Sequence, residues 1–153
     1  MSINELYQEL IIDHGTEPRN YCCLDNFTND AKGFNPLCGD KIHIYLEIDN
    51  NIINNVSFKG SGCAISMASA SIMTETLKGK TIEEAKLFFK AFKAMVTDSD
   101  EDNNDNLSCT DAFEKLKALA GVKEFPSRVK CATLAWHTMN SAINNDLSLT
   151  KTE

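Results

Sequence analysis

Cys38 and Asp40 stand two residues apart in NPLCGDKIHIYLEI, residues 35–48. In extended backbone, residues i and i+2 point the same way. The parity continues into Ile42 and Ile44, so Asp40 aims under the protein rather than into open solvent. A carboxylate placed there needs a cation or several donors, because a buried unpaired charge is costly. Two further thiols share a chemically suggestive setting. Cys63 follows Gly60-Ser61-Gly62 where a helix should begin, and Cys131 lies near the start of the last helix, close to Arg128 and Lys130. A helix N-terminus and neighbouring cations both favour thiolate.

Three thiolates and a carboxylate suit four-coordinate zinc, with Zn–S bonds near ~2.3 Å. Thiolates also suit iron–sulfur clusters, so the ligand types do not select the metal. No CxxC pair supports either choice. The competing reading makes each cysteine a small buried hydrophobe, the commoner fate of an isolated intracellular cysteine. Asp40 argues against it for Cys38, and Gly60 with Gly62 for Cys63; Cys131 has less in its favour. Cys22 and Cys23, adjacent in a loop, and Cys109, at the end of an acidic stretch, read as incidental thiols. His14, His43 and His137 read as surface or capping residues, with His43 on the wet face of a strand.

The elements that must position these groups follow from periodicity. Leu6, Tyr7, Leu10 and Ile11 recur at helical spacing over about 2–14, with Ser2 and Glu5 as a capping-box pattern. A weak strand is expected near 27–31. KIHIYLEI alternates strictly, and IINNVSFKG answers it after the turn DNN, giving an antiparallel hairpin with one covered face. A helix rich in small residues runs from Cys63 to about Gly79, and a second opens on the capping-box pair Thr81 and Glu84. The segment 97–109 holds five acidic residues and no basic one, and reads as a solvated loop. DAFEKLKALAGV reads as a short helix closed by Gly121, and PSRVKCATLAWHTMNSAI as the last helix with Pro126 in its first turn. The C-terminal ten residues are expected to fray.

Length and composition bound the rest. At 153 residues the chain is sized for one domain, and 42% hydrophobic residues suit a globular core. No apolar run approaches the ~20 residues a membrane helix needs. No signal-peptide pattern opens the chain, so a cytoplasmic location is expected. A net charge of −7 argues against nucleic acid as a partner. Six cysteines without a secretion signal point to metal, redox or nucleophilic chemistry rather than to a disulfide framework.

NPLCGD, GSGCAISMASASIMT and FPSRVKCATLAW, with LYQELIIDHGTEPRN near the start, resemble SufU-type iron–sulfur cluster assembly proteins within the wider IscU and NifU N-terminal-domain family. The resemblance spans about 6–142. Lys130 stands where IscU-type scaffolds carry a histidine, and 97–122 resembles the insertion typical of SufU-like chains.

The resemblance implies a single α+β domain over 1–153, with a small antiparallel sheet of about three strands packed against several helices. It also implies a zinc site of Cys38, Asp40, Cys63 and Cys131, and a SufS-type cysteine desulfurase, carrying pyridoxal phosphate, as partner. Cys38, released when a desulfurase group takes its place on zinc, would accept sulfur from that enzyme's persulfide and pass it towards downstream iron–sulfur assembly proteins. Whether that makes the chain an enzyme in its own right, as a sulfurtransferase, the residues leave open. Arg128 and Lys130 are possible supporting residues. Two alternatives stay open: a scaffold for a [2Fe–2S] cluster, and a structural zinc-binding interaction domain.

Overall fold

The structure, a computed structural model, describes residues 3–36, 39–97, 115–144 and 150–151. In chain order these form α1 (Ile3–Thr16), β1 (Asn29–Asn35), β2 (Asp40–Asp49), β3 (Ile52–Ser61), α2 (Ala64–Leu77) and α3 (Ile82–Thr97). A 3-10 helix, Lys117–Glu124, then leads into α4 (Pro126–Ile143) and β4 (Thr150–Lys151). The result is an α+β fold, as the resemblance implied.

The sheet order is β3-β2-β1-β4. The hairpin β2–β3 is antiparallel and turns through Asn50 and Asn51, whose φ angles of 52° and 67° are the left-handed values that asparagine tolerates well. β1 runs antiparallel to β2, with Asn35 opposite Asp40 and Gly33 opposite Ile42. This strand begins two residues later than the weak strand expected at 27–31 and extends four residues beyond it. Its inward positions Ala31, Gly33 and Asn35 are too small or too polar to give an apolar alternation. β4 adds a short fourth strand parallel to β1, so Thr150 and Lys151 do not fray.

Helices α2 and α4 pack on one face of the antiparallel strands, with α1 against α2. Ile44, Leu46, Val56 and Phe58 come from the sheet, and Ile72, Met73, Leu134 and Trp136 from the helices; all eight are fully buried. Gly33 lets α4 lie close to β1, since a Cβ there would run into Thr138 Oγ1. Ser69 Oγ donates to the Ala132 carbonyl at 2.5 Å, tying the small-residue face of α2 to α4. These two helices carry Cys63 and Cys131 at their N-terminal ends, so their packing brings the two thiols together.

Three local expectations need correction. The 3-10 helix runs through Gly121 to Glu124, and Gly121 lacks the positive φ of a helix-closing glycine. His14 is no surface residue: it is 1% exposed, with Nδ1 2.7 Å from Ser71 Oγ and Nε2 3.6 Å from Glu75. Burial holds its imidazole below the ordinary histidine range, the Arg19 charge adding to the effect. The third correction is the end of α1, which continues to Thr16 beyond the expected stop at His14. Ser2 and the segment 98–114 lie outside the described residues.

Candidate metal centre

Asp40 opens β2 and is fully buried. Its Oδ1 accepts the backbone N–H of Cys63 at 2.9 Å, and its Oδ2 accepts from Asn35 Nδ2 at 3.2 Å. No lysine, arginine or histidine among the described residues pairs with it. Two neutral donors are thus its hydrogen-bonding partners, in a place where a carboxylate calls for a cation.

The two thiols supply the rest. Cys63 is the N-cap of α2, and its Sγ accepts the N–H of Ser66 at 3.4 Å. Cys131, 1% exposed, sits in the second turn of α4, with Sγ 3.6 Å from the Ser127 carbonyl. The ligand atoms of Asp40, Cys63 and Cys131 all lie within 4.8 Å of one another. Donors in tetrahedral coordination at ~2.0–2.3 Å stand about 3.3–3.8 Å apart, so the three groups are near enough to share one ion after closing in by about 1 Å. Sulfur, sulfur and carboxylate oxygen fit a divalent zinc ion, with one further ligand completing four-coordination. The residues present therefore suit a metal.

Of the residues singled out in the sequence, the structure brings together Asp40, Cys63 and Cys131. Cys38 lies outside the described residues. Arg128 is exposed, with its guanidinium 5.2 Å from the centroid of the Phe125 ring, and Lys130 is half-buried. Sequence reasoning missed Asn35. This fully buried amide donates both to Asp40 and to Cys131 Sγ, the latter at 3.4 Å. It bridges two of the candidate ligands and orients both. The available signal was its place five residues before Asp40, and the two stand opposite each other where β1 pairs with β2. Gly62, singled out in the sequence for the turn that leads into Cys63, has a second role: a Cβ there would overlap the Asp40 carboxylate. The glycine is required by the buried carboxylate beside it.

His43 lies on the uncovered sheet face, as its parity implied, and His137 packs edge-on against Phe89 at 5.1 Å. Neither approaches the cluster of donors. Burial also holds the His137 imidazole below its ordinary range. No helix among the described residues is long and apolar enough to cross a membrane.

The chain is similar to the zinc-dependent sulfurtransferase SufU of Bacillus subtilis, 39% identical over 143 residues that cover 93% of this chain and 92% of that protein. It is also similar to the iron–sulfur cluster assembly scaffold protein IscU of Streptococcus pyogenes, 36% identical over 141 residues, 92% of this chain and 84% of the other. A solved structure from Fervidobacterium islandicum AW-1, described as a candidate iron–sulfur cluster assembly scaffold for the SUF system, superposes with a TM-score of 0.80 at 32% identity. That match covers 93% of this chain and 99% of the other. The NifU-like N-terminal domain family matches residues 6–132. The chain belongs to the NifU-like N-terminal domain family.

Proposed function

We propose that this chain serves iron–sulfur cluster assembly as a zinc-dependent sulfur acceptor, with Cys38, Asp40, Cys63 and Cys131 holding the ion. The observation that carries the reading is the convergence of Asp40, Cys63 and Cys131, around a buried carboxylate that has no cationic partner among the described residues. A bound zinc ion supplies a redox-inert positive charge that keeps thiols deprotonated.

Cys38 is the working thiol. Its thiolate attacks the outer sulfur of a cysteine desulfurase persulfide, a new S–S bond forms on Cys38, and the enzyme's own cysteine leaves as a thiolate. Electrons balance without an external oxidant. Asn35 and the Cys63 N–H orient Asp40 throughout, and Asn35 also steadies Cys131. The relationship to a protein named a zinc-dependent sulfurtransferase supports this reading. The [2Fe–2S] scaffold is the second reading, because relatives of comparable identity are named scaffolds. Lys130 weighs against it, since a charged lysine cannot ligate in the place where IscU-type scaffolds have a histidine.

The test is Cys38→Ala. Transfer of sulfur from the desulfurase should vanish while the circular dichroism spectrum stays that of the parent. Undiminished transfer by the variant would contradict the assignment of Cys38.

A further inference from the structure

A second group of polar side chains lies on the uncovered face of the sheet, away from the metal centre. Tyr45 is five residues along β2 from Asp40, about 16 Å at ~3.3 Å per residue. Four groups are linked in series there. Asp30 Oδ2 is 2.6 Å from His43 Nε2, His43 Nδ1 is 3.1 Å from Tyr45 Oη, and Cys23 Sγ donates to Tyr45 Oη at 3.4 Å. With a neutral imidazole, every direction is fixed. Nε2–H donates to the carboxylate, Nδ1 accepts from the tyrosine hydroxyl, and the tyrosine oxygen accepts from the thiol.

The linkage is held rather than incidental. The His43 and Tyr45 rings stack with centroids 4.1 Å apart, and Phe27 packs edge-on against Tyr45 at 5.4 Å. Cys23 itself is exposed and is a free thiol. Burial first, then the nearness of the Cys23 sulfur, whose negative form disfavours a second negative charge beside it, pushes the Tyr45 hydroxyl up to about 12, so it stays protonated and serves as a neutral bridge.

The surrounding charge is positive, although the chain carries −7 overall. Lys32 and Lys59 stand opposite His43 on the two neighbouring strands, and Lys41 lies two residues before it. Lys59 Nζ is 5.1 Å from the ring centroid of Tyr21, two residues from Cys23. Acidic groups in the same region are Asp30, already committed to His43, Glu47 further along β2, and Asp25, two residues beyond Cys23.

We propose that Cys23 is a second nucleophilic thiol of this chain, with the Asp30–His43 pair acting as its general base through Tyr45, and that it takes small carboxylate-bearing disulfides into a mixed disulfide. Cys23 Sγ bonds to one sulfur of the disulfide as that S–S bond breaks. The Cys23 proton passes to the Tyr45 oxygen, and the Tyr45 proton to His43 Nδ1, where Asp30 balances the imidazolium. The departing thiolate recovers a proton from that imidazolium by the reverse path or from water. One thiol and one disulfide become one thiol and one mixed disulfide, so no other reagent is needed. Lys32 and Lys59 favour an anionic disulfide.

Cys22, exposed and adjacent, is the internal reference. The full-length zinc-loaded protein is treated with oxidised glutathione near neutral pH, and modification of each cysteine is followed by fragment-resolved mass spectrometry. Cys23 should react on the order of 100-fold faster than Cys22, the low end of what general-base assistance provides. Tyr45→Phe, which keeps the ring and its stacking, and Asp30→Asn should each remove that advantage without changing the rate at Cys22. Equal rates at the two cysteines in the parent would overturn the proposal. So would an advantage that survives in either variant, with folding checked by circular dichroism; if one variant fails to fold, the other decides.

Discussion

At the scale of single residues, the centre is defined as much by what is missing as by what is present. Gly62 has no side chain because the Asp40 carboxylate occupies that space, held by the Cys63 N–H and the Asn35 amide. Gly62→Ala should therefore displace Asp40 and weaken zinc affinity by about 10–100-fold, as the loss of orienting contacts around a metal ligand commonly does. Competition with a chromophoric chelator measures this, and unchanged affinity would mean that Asp40 is not a ligand. Asp40 was legible because its parity matched Ile42 and Ile44, which made its burial readable before any coordinates. Asn35 was not, since an asparagine before a proline reads first as turn chemistry. One of its hydrogen bonds goes to Cys131 Sγ, on a helix more than ninety residues further along the chain. His14 was misread for a similar reason: its partners Ser71 and Glu75 come from α2, which α1 alone does not reveal.

Among elements, the best-read ones carry their own local signals. Thr81 and Glu84 form the reciprocal pair expected of a capping box: the Thr81 N–H donates to Glu84 Oε1 at 3.2 Å and the Glu84 N–H to Thr81 Oγ1 at 3.1 Å. Thr81→Ala should lower stability by about 1 kcal/mol, read as a shifted midpoint in urea denaturation. A shift beyond about 2 kcal/mol would implicate the strand bridge between Ile52 and Thr81 as well. The β2–β3 hairpin was equally legible in its strands and its reversal, because strict alternation in β2 and an Asn-Asn turn specify both, while the register shift between Glu47 and Ile48 carries no such signal. β1 and β4 were harder. Gly33 and Asn35 interrupt β1 where α4 and the buried Asp40 and Cys131 press on it, and two-residue β4 gains its definition from pairing with β1 rather than from its own sequence. The 3-10 helix past Gly121 shows the same principle, with tertiary packing of Leu116, Leu119 and Val122 overriding a stop signal.

For the whole molecule, two helix N-termini and one strand start converge at a point that none of them could define alone. The packing of α2 on α4 sets the spacing of Cys63 and Cys131, and the sheet delivers Asp40 between them. An ion shared by these elements would bind the folded chain in preference to the unfolded one. Zinc at about 1,000 times its dissociation constant should add roughly 4 kcal/mol to stability, seen as a lower thermal midpoint after chelation. Net charge and composition argued against nucleic acid but could not by themselves choose between sulfur acceptor and cluster scaffold. The same donor set serves both chemistries. The most direct test is cysteine turnover by a cognate SufS-type desulfurase, with zinc-loaded and metal-free protein compared side by side. Strong stimulation by the zinc form alone is the predicted result; stimulation only by metal-free or iron-loaded protein would contradict the sulfur-acceptor account and favour the scaffold.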